Sequence, residues 1–353
     1  MKEAKLYKKI AGKKVVCNAC ARQCKLSPDK VGFCGVRQNI DGKLFLLVYG
    51  KVATMHVDPI EKKPVFHFMP GSKFLSFGTT GCNFACAYCC NYDLSQRRKV
   101  EGADITPEKI VELAKQHECD GIAYTYNEPT IFIEFAHDVG VIARKNGLKN
   151  IFVSNGYDTP ETVKFMKDFL DSITIDIKGN AEQNFLRKYV GIPNSEPIFE
   201  TLREIKNKTK IHIEITDLII PKIGDDLKEA EKVCKWIVEN LGEETSIQFL
   251  RFNPTYKLVD LPPTPVKTLE KHYEVAKKAG LKYVYLGNVP GHKFESTYCP
   301  NCNAVVIERF GFNITGWNLD EKNNCKFCGY PIPIVGSLSK SVDGERFFSV
   351  NGF

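Results

Sequence analysis

Residues 81–93, GCNFACAYCCNYD, place four cysteines within nine positions. Cys82, Cys86 and Cys89 have the spacing C-x3-C-x2-C, and Cys90 adjoins the third. Two further sets flank this one: Cys17, Cys20, Cys24 and Cys34 (C-x2-C-x3-C-x9-C), and Cys299, Cys302, Cys325 and Cys328 (C-x2-C-x22-C-x2-C). Thiolates at such spacings are ligands for zinc or iron, and ligand count separates their uses. A quartet closes a tetrahedral shell, whereas a triplet leaves a coordination position open for chemistry. The C-terminal pair of C-x2-C turns suits tetrahedral zinc, as in a zinc ribbon or rubredoxin-like module. The N-terminal quartet is read the same way. A second iron–sulfur cluster is its alternative, although the ferredoxin run C-x2-C-x2-C-x3-C-P is absent. Side chains of adjacent residues diverge, so Cys90 is poorly placed to share one cluster with Cys89. Cys119 and Cys234 stand alone in or beside helical patterns, where a buried small apolar role is expected.

The rest of the composition supports a metal reading. The chain has 353 residues, 14 of them cysteine, with 43% hydrophobic and 26% charged residues. Its longest apolar run, LFLLVY, is far short of the roughly 20 residues of a membrane helix. The basic start MKEAKLYKKIAGKKVVC lacks the apolar segment of a signal peptide. A cytoplasmic location with no membrane partner is therefore expected, and cysteines there are metal ligands more often than disulfides. A net charge of +7 is mild and fits a lysine-rich solvated surface; a nucleic-acid partner is not expected.

Positioning these cysteines requires a scaffold, and the sequence supplies a repeating one. KFLSFGTTGC, DGIAYTYNEPT, KNIFVSNGY, DSITIDIKGN, IHIEITDLIIP, SIQFLRFNP and LKYVYLGNVPG are short β-branched or aromatic runs, each stopped by Gly, Asn or Pro. Helical segments separate them. Thr106, Thr159 and Thr264 each precede a proline, which predicts a threonine cap with proline in the first helical position. Alternating strands and helices imply α/β architecture: a partial or near-complete (β/α) TIM-type barrel, with a doubly wound sheet as the alternative. The expected divisions are a four-cysteine module over 1–70, the barrel over 71–293 and a metal ribbon over 294–353. In the tail, SVDGERFF predicts a hairpin turned at Asp343–Gly344.

Ligands bind at the carboxyl ends of parallel strands, and polar residues crowd those ends here. Asn127, Glu128, Ser154, Asn155, Asp176, Lys178, Glu214, Thr216 and Asn253 are expected to share one rim with the cysteine loop. His67, between Phe66 and Phe68, reads as a packed histidine. His292, after the NVPG turn, could face a substrate.

These motifs resemble the radical S-adenosylmethionine (SAM) superfamily. The triplet spacing matches, as does the aromatic Tyr88 before its third cysteine. DPIEKKPVFHFMPG, GVRQN, AYTYNEPT and LGNVPGH further resemble the radical enzyme of the AmmeMemoRadiSam system, a relative of the pyruvate formate-lyase activating enzymes, over most of residues 15–293. The resemblance implies a 4Fe-4S cluster on Cys82, Cys86 and Cys89 with SAM on its open iron. Asn127-Glu128-Pro129 stands where the family binds the methionine amino group. Asp176-Ile177-Lys178 matches a strand that contacts the cofactor's carboxylate and ribose, and Ser154-Asn155-Gly156 matches a Thr-Asn-Gly strand end. Two positions depart from the pattern. Val153 replaces an Asp that helps hold a monovalent cation in the activases, and Cys90 replaces a glutamine. The implied activity is reductive cleavage of SAM to a 5′-deoxyadenosyl radical, with ferredoxin or flavodoxin as the reductase. The implied substrate is a protein, as for glycyl-radical activating enzymes; a small molecule or RNA is the alternative. A metal-stabilised binding protein with a vestigial barrel site is the reading from another class.

Overall fold

The computed structural model describes residues 1–350 and Gly352. Its centre is a nine-stranded sheet. In chain order its elements are β1 (Thr54–Pro59), β2 (Lys73–Gly78), α1 (Pro107–Gln116), β3 (Gly121–Tyr124), α2 (Ile133–Lys145), β4 (Lys149–Ser154), α3 (Pro160–Met166), β5 (Ser172–Lys178), α4 (Glu196–Lys208), β6 (His212–Ile219), α5 (Leu227–Asn240), β7 (Ile247–Arg251), α6 (Val266–Lys278), β8 (Val284–Gly287) and β9 (Phe348–Ser349). The spatial order is β8-β7-β6-β5-β4-β3-β2-β1-β9. Strands β2 to β8 are the seven expected from sequence, and each neighbouring pair is parallel. With a helix between each successive pair, they form an open, partial (β/α) barrel.

The strands form because their residues tolerate burial on both faces. All four residues of β3, GIAY, are buried, as a sheet covered by helices requires. Phe77, Tyr124, Phe152 and Phe169 stack edge-to-face at 5.2–5.7 Å between sheet and helices. Burying each such ring stabilises the fold by about 1.5–3 kcal/mol. Thr106 and Thr159 cap α1 and α3 as predicted, accepting from Lys109 N at 3.2 Å and Thr162 N at 3.3 Å.

Three expectations are corrected. Thr264 does not cap α6. Its hydroxyl donates to Ile219 O at 2.5 Å and accepts from Phe252 N at 3.1 Å, tying the ends of β6 and β7 together. The tail is not a hairpin. Lys340–Asp343 forms a 3-10 turn, and β9 pairs antiparallel with β1, Phe348 opposite Val57. Finally, β1, from the segment assigned to the N-terminal module, pairs antiparallel with β2 as part of the central sheet.

Two cysteine-rich modules pack on this barrel. The first contains two three-stranded antiparallel sheets and a small core of Ala4, Val15, Cys17, Ala19, Leu26 and Leu44. Arg37 anchors it to α2 through a buried ion pair with Glu134, whose carboxylate also accepts from Lys5 N at 3.0 Å. The second is a three-stranded antiparallel sheet of Thr297–Tyr298, Val305–Phe310 and Asn313–Trp317. Among the described residues, no helix is long and apolar enough to cross a membrane.

Candidate active site

The loop that follows β2 carries the central cysteines, and its path is set by backbone contacts. A Cβ at Gly78 would lie 2.6 Å from Thr125 O, so only glycine lets β2 end this close to β3. Gly81 has φ +87°, and a Cβ there would meet Cys34 O at 2.3 Å. Asn127, at the end of β3, staples the loop: its amide donates to Thr79 Oγ1 at 3.0 Å and to Gly81 O at 2.9 Å. Ala85 N and Ala87 N donate to Val190 O and Tyr189 O, holding the loop from the other side.

This path turns Cys82, Cys86 and Cys89 into one cleft of about 270 Å³. Tyr88, Asn127, Glu128, Ser154, Asn155, Asp176, Lys178 and Thr216 line the same cleft, with Cys90 exposed beside them. Sequence and structure thus converge on one rim for eight of the ten non-cysteine positions. Glu214 is not among them. It faces inward like Thr216, but two residues lower on β6, roughly 7 Å deeper. There its carboxylate accepts from Phe66 N, His67 N and Ser246 Oγ at 2.7–3.0 Å and plugs the opposite end of the barrel. Asn253 lies beyond the end of β7 and is exposed. His292 hydrogen-bonds Glu270 at 3.2 Å away from the cleft, and His67 is packed, as read from its neighbours.

The electrostatics of the cleft are unbalanced. Glu128 is buried, and its carboxylate accepts from Asn155 N at 2.7 Å, Ser154 Oγ at 2.8 Å and Thr130 N at 3.1 Å, all neutral donors. Burial raises its pKa despite these bonds. A buried carboxylate without a cationic partner is a receptor for one. Across the cleft, Asp176 pairs with Lys178. Burial alone would lower Lys178, but Asp176 and Cys86 outweigh it and hold the ammonium well above its usual range. One Asp176 oxygen, Oδ1, is buried with no partner, as is the Tyr88 hydroxyl. The cleft therefore offers an anion for an amine, a cation for a carboxylate and a spare acceptor for a hydroxyl.

Cys82, Cys86 and Cys89 bring three thiolates to one cleft and leave a coordination position open, the donor set that an iron–sulfur cluster with one free iron would use. Burial pushes Cys86 up to about 12, which means that iron binding must displace its proton.

Sequence reasoning missed several contributors. Ser95, in the single turn Tyr92–Ser95, lies 3.1 Å from Cys89 Sγ. Asn83 accepts from Asn155 Nδ2 at 2.8 Å and joins the cysteine loop to β4. Tyr126, with φ +70°, lines the cleft and donates to Asp58 at 2.6 Å. A positive φ at a non-glycine residue leaves no pattern in the residue types alone.

Residues 77–237 match the model of the radical SAM superfamily. An uncharacterized protein of Methanocaldococcus jannaschii, MJ0808, is 46% identical over 338 residues, covering 95% of this chain and 100% of that one. A putative glycyl-radical enzyme activating enzyme of the same organism, MJ1632, is 27% identical over 45% of this chain and 60% of its own length. A cysteine-type anaerobic sulfatase-maturating enzyme of Clostridium perfringens is 25% identical over 52% and 51%. Among solved structures, a radical SAM methyltransferase from Sphaerobacter thermophilus matches with a TM-score of 0.49 at 12% identity, covering 62% of this chain and 67% of that one. Residues 77–237 thus form a radical SAM superfamily domain, and that family implies a 4Fe-4S cluster and SAM.

Proposed function

We propose that this protein is a radical SAM enzyme of the AmmeMemoRadiSam type, acting on a protein partner. One observation carries the cofactor reading: three cysteines, the uncompensated carboxylate of Glu128 and the ammonium of Lys178 line one cleft at the carboxyl ends of the strands. Cys82, Cys86 and Cys89 would hold the cluster. Glu128 would take the methionine ammonium, and Lys178 its carboxylate, while Asp176 would accept from the ribose. Together, cluster and SAM supply reductive cleavage to methionine and a 5′-deoxyadenosyl radical. The chain's residues fix the orientation of SAM and exclude water, and no side chain is needed as acid or base. Two of the relatives are named as enzymes that activate or mature other proteins, which favours a protein substrate over a small molecule.

The C-terminal quartet suits a single tetrahedral ion, and zinc is the ion we favour there. Its sulfurs lie 3.6 Å (Cys299–Cys328) and 3.8 Å (Cys302–Cys325) apart, and Zn–S bonds of about 2.3 Å place tetrahedral thiolates about 3.8 Å apart. Ferredoxin or flavodoxin is the expected reductase, in the cytoplasm. The test is anaerobic incubation of reconstituted, reduced protein with SAM. Release of 5′-deoxyadenosine is expected, and S-adenosylhomocysteine as sole product would sink the proposal.

A further inference from the structure

Two stretches that the proposed SAM chemistry leaves unused, DPIEKKPVFHFMPG and LGNVPGH, meet beside β8. Pro59, Pro64 and Phe66 of the first and Leu286, Asn288 and Pro290 of the second line one groove of about 640 Å³. Its outer lip comes from the C-terminal residues: Phe310 and Phe347 are each 59% exposed, and Phe312 is 43% exposed. Large apolar side chains gathered and exposed in this way mark a surface that something covers. The groove adjoins the cysteine cleft, since Pro64 and Leu250 line both.

Backbone and charge narrow the choice of occupant. Strand β8 ends the central sheet. Ile247 N donates to Tyr283 O at 3.1 Å, and in the parallel register this turns Tyr283, Tyr285 and Gly287 toward β7. Leu286 therefore directs its N–H and C=O to the outer edge, in the groove wall, where an added strand would pair with them. The four charged side chains of the groove are already engaged. Arg346 pairs with Glu61 at 2.9 Å, Lys62 pairs with Asp58 at 2.7 Å, and Glu295 accepts from Gly291 N at 2.8 Å. Among the described residues, the groove thus keeps no spare cation for the phosphates of a nucleic acid. We propose that it docks an extended, uncharged apolar segment of the substrate protein, which adds to the β8 edge and leads into the cleft. This inference rests on the reading of the substrate as a protein.

A display library of random peptides, panned against full-length, anaerobically reconstituted protein, provides the probe. Enriched peptides should carry aromatic or aliphatic residues at alternate positions. Titrated by fluorescence anisotropy, they should bind a Phe310→Ser/Phe347→Ser variant about tenfold more weakly or worse, because the lip no longer covers apolar surface. A second measurement uses the parent protein alone and so does not depend on the variant's folding. N-methylation of alternate peptide amides in one register should abolish binding, and in the other register should be tolerated, since an added strand turns only one edge toward β8. Enrichment of charged sequences or of none, binding indifferent to the variant, or equal loss in both registers would overturn the proposal. Dimerisation of the parent that the same variant abolishes would overturn it too, by making a second copy of this chain the occupant. Release of 5′-deoxyadenosine, measured on the same preparation, separates this inference from the function it rests on. Release without peptide binding overturns the docking groove alone; peptide binding without release overturns the SAM chemistry and leaves the groove standing.

Discussion

Replacing Glu128 by Gln isolates the electrostatic part of SAM binding, because size and shape are kept while the charge is removed. Oε2 of Glu128 accepts from Asn155 N, and Oε1 accepts from Ser154 Oγ and Thr130 N. Glutamine keeps one acceptor, and its amide must face a buried N–H donor in either orientation. That mismatch costs about 1–3 kcal/mol of stability. Removing one partner of a desolvated charge pair costs a further 2–5 kcal/mol of binding, by the usual range of about that size. SAM affinity should therefore fall at least about thirtyfold. Calorimetric titration of reconstituted protein with SAM measures the loss, and circular dichroism checks that the fold persists. A SAM analogue lacking the amino group completes the cycle: the Glu128→Gln change should cost it little affinity, because it brings no ammonium for the carboxylate to pair with. Binding of SAM to Glu128→Gln within threefold of the parent would refute the assignment.

Two further outcomes test the scaffold. Glu134→Gln leaves the buried Arg37 guanidinium without its counter-charge, so the urea midpoint should drop by the equivalent of about 3–5 kcal/mol, with the N-terminal module loosened first in limited proteolysis. His67 is buried between Tyr285 OH at 2.7 Å and Pro333 O at 3.2 Å, and burial lowers its pKa to about 4. A depressed histidine contributes stability present above its unfolded pKa of about 6.5 and lost as pH falls toward 4. Between pH 8 and pH 5 that loss is about 2 kcal/mol, and urea titrations should show it shrinking in a His67→Asn variant; an unchanged pH slope would refute the effect.

Much of this architecture was legible because it is local. Each of the seven parallel strands is bounded by its own Gly, Asn or Pro, and the cysteine triplet lies on one loop. Glu128, Ser154, Asn155, Asp176 and Lys178 could be placed on one rim because strand ends in a parallel sheet share a level. Depth along a strand is not local. Glu214 and Thr216 have the same inward facing, and only the register of β6 with β5 and β7 separates a plug from a cleft residue. Thr264 fits a capping motif, yet tertiary partners claim its hydroxyl. The spacing of Cys299, Cys302, Cys325 and Cys328 suggests a shared ion, but that their sulfurs lie within 4.8 Å of one another depends on how the two turns fold back together.

The pairing of β9 with β1 carries a kinetic consequence. Ser349 Oγ meets His56 Nδ1 at 3.1 Å across 293 positions of chain, and β9 is only two residues long. A strand this short cannot offset the entropy of closing such a loop until the intervening barrel has already drawn its ends together. The outer edge of the sheet is thus completed late in folding, and until then β1 presents unpaired backbone groups to any other strand it meets. Crowded refolding should favour association through that edge, and dilution should favour the monomeric path.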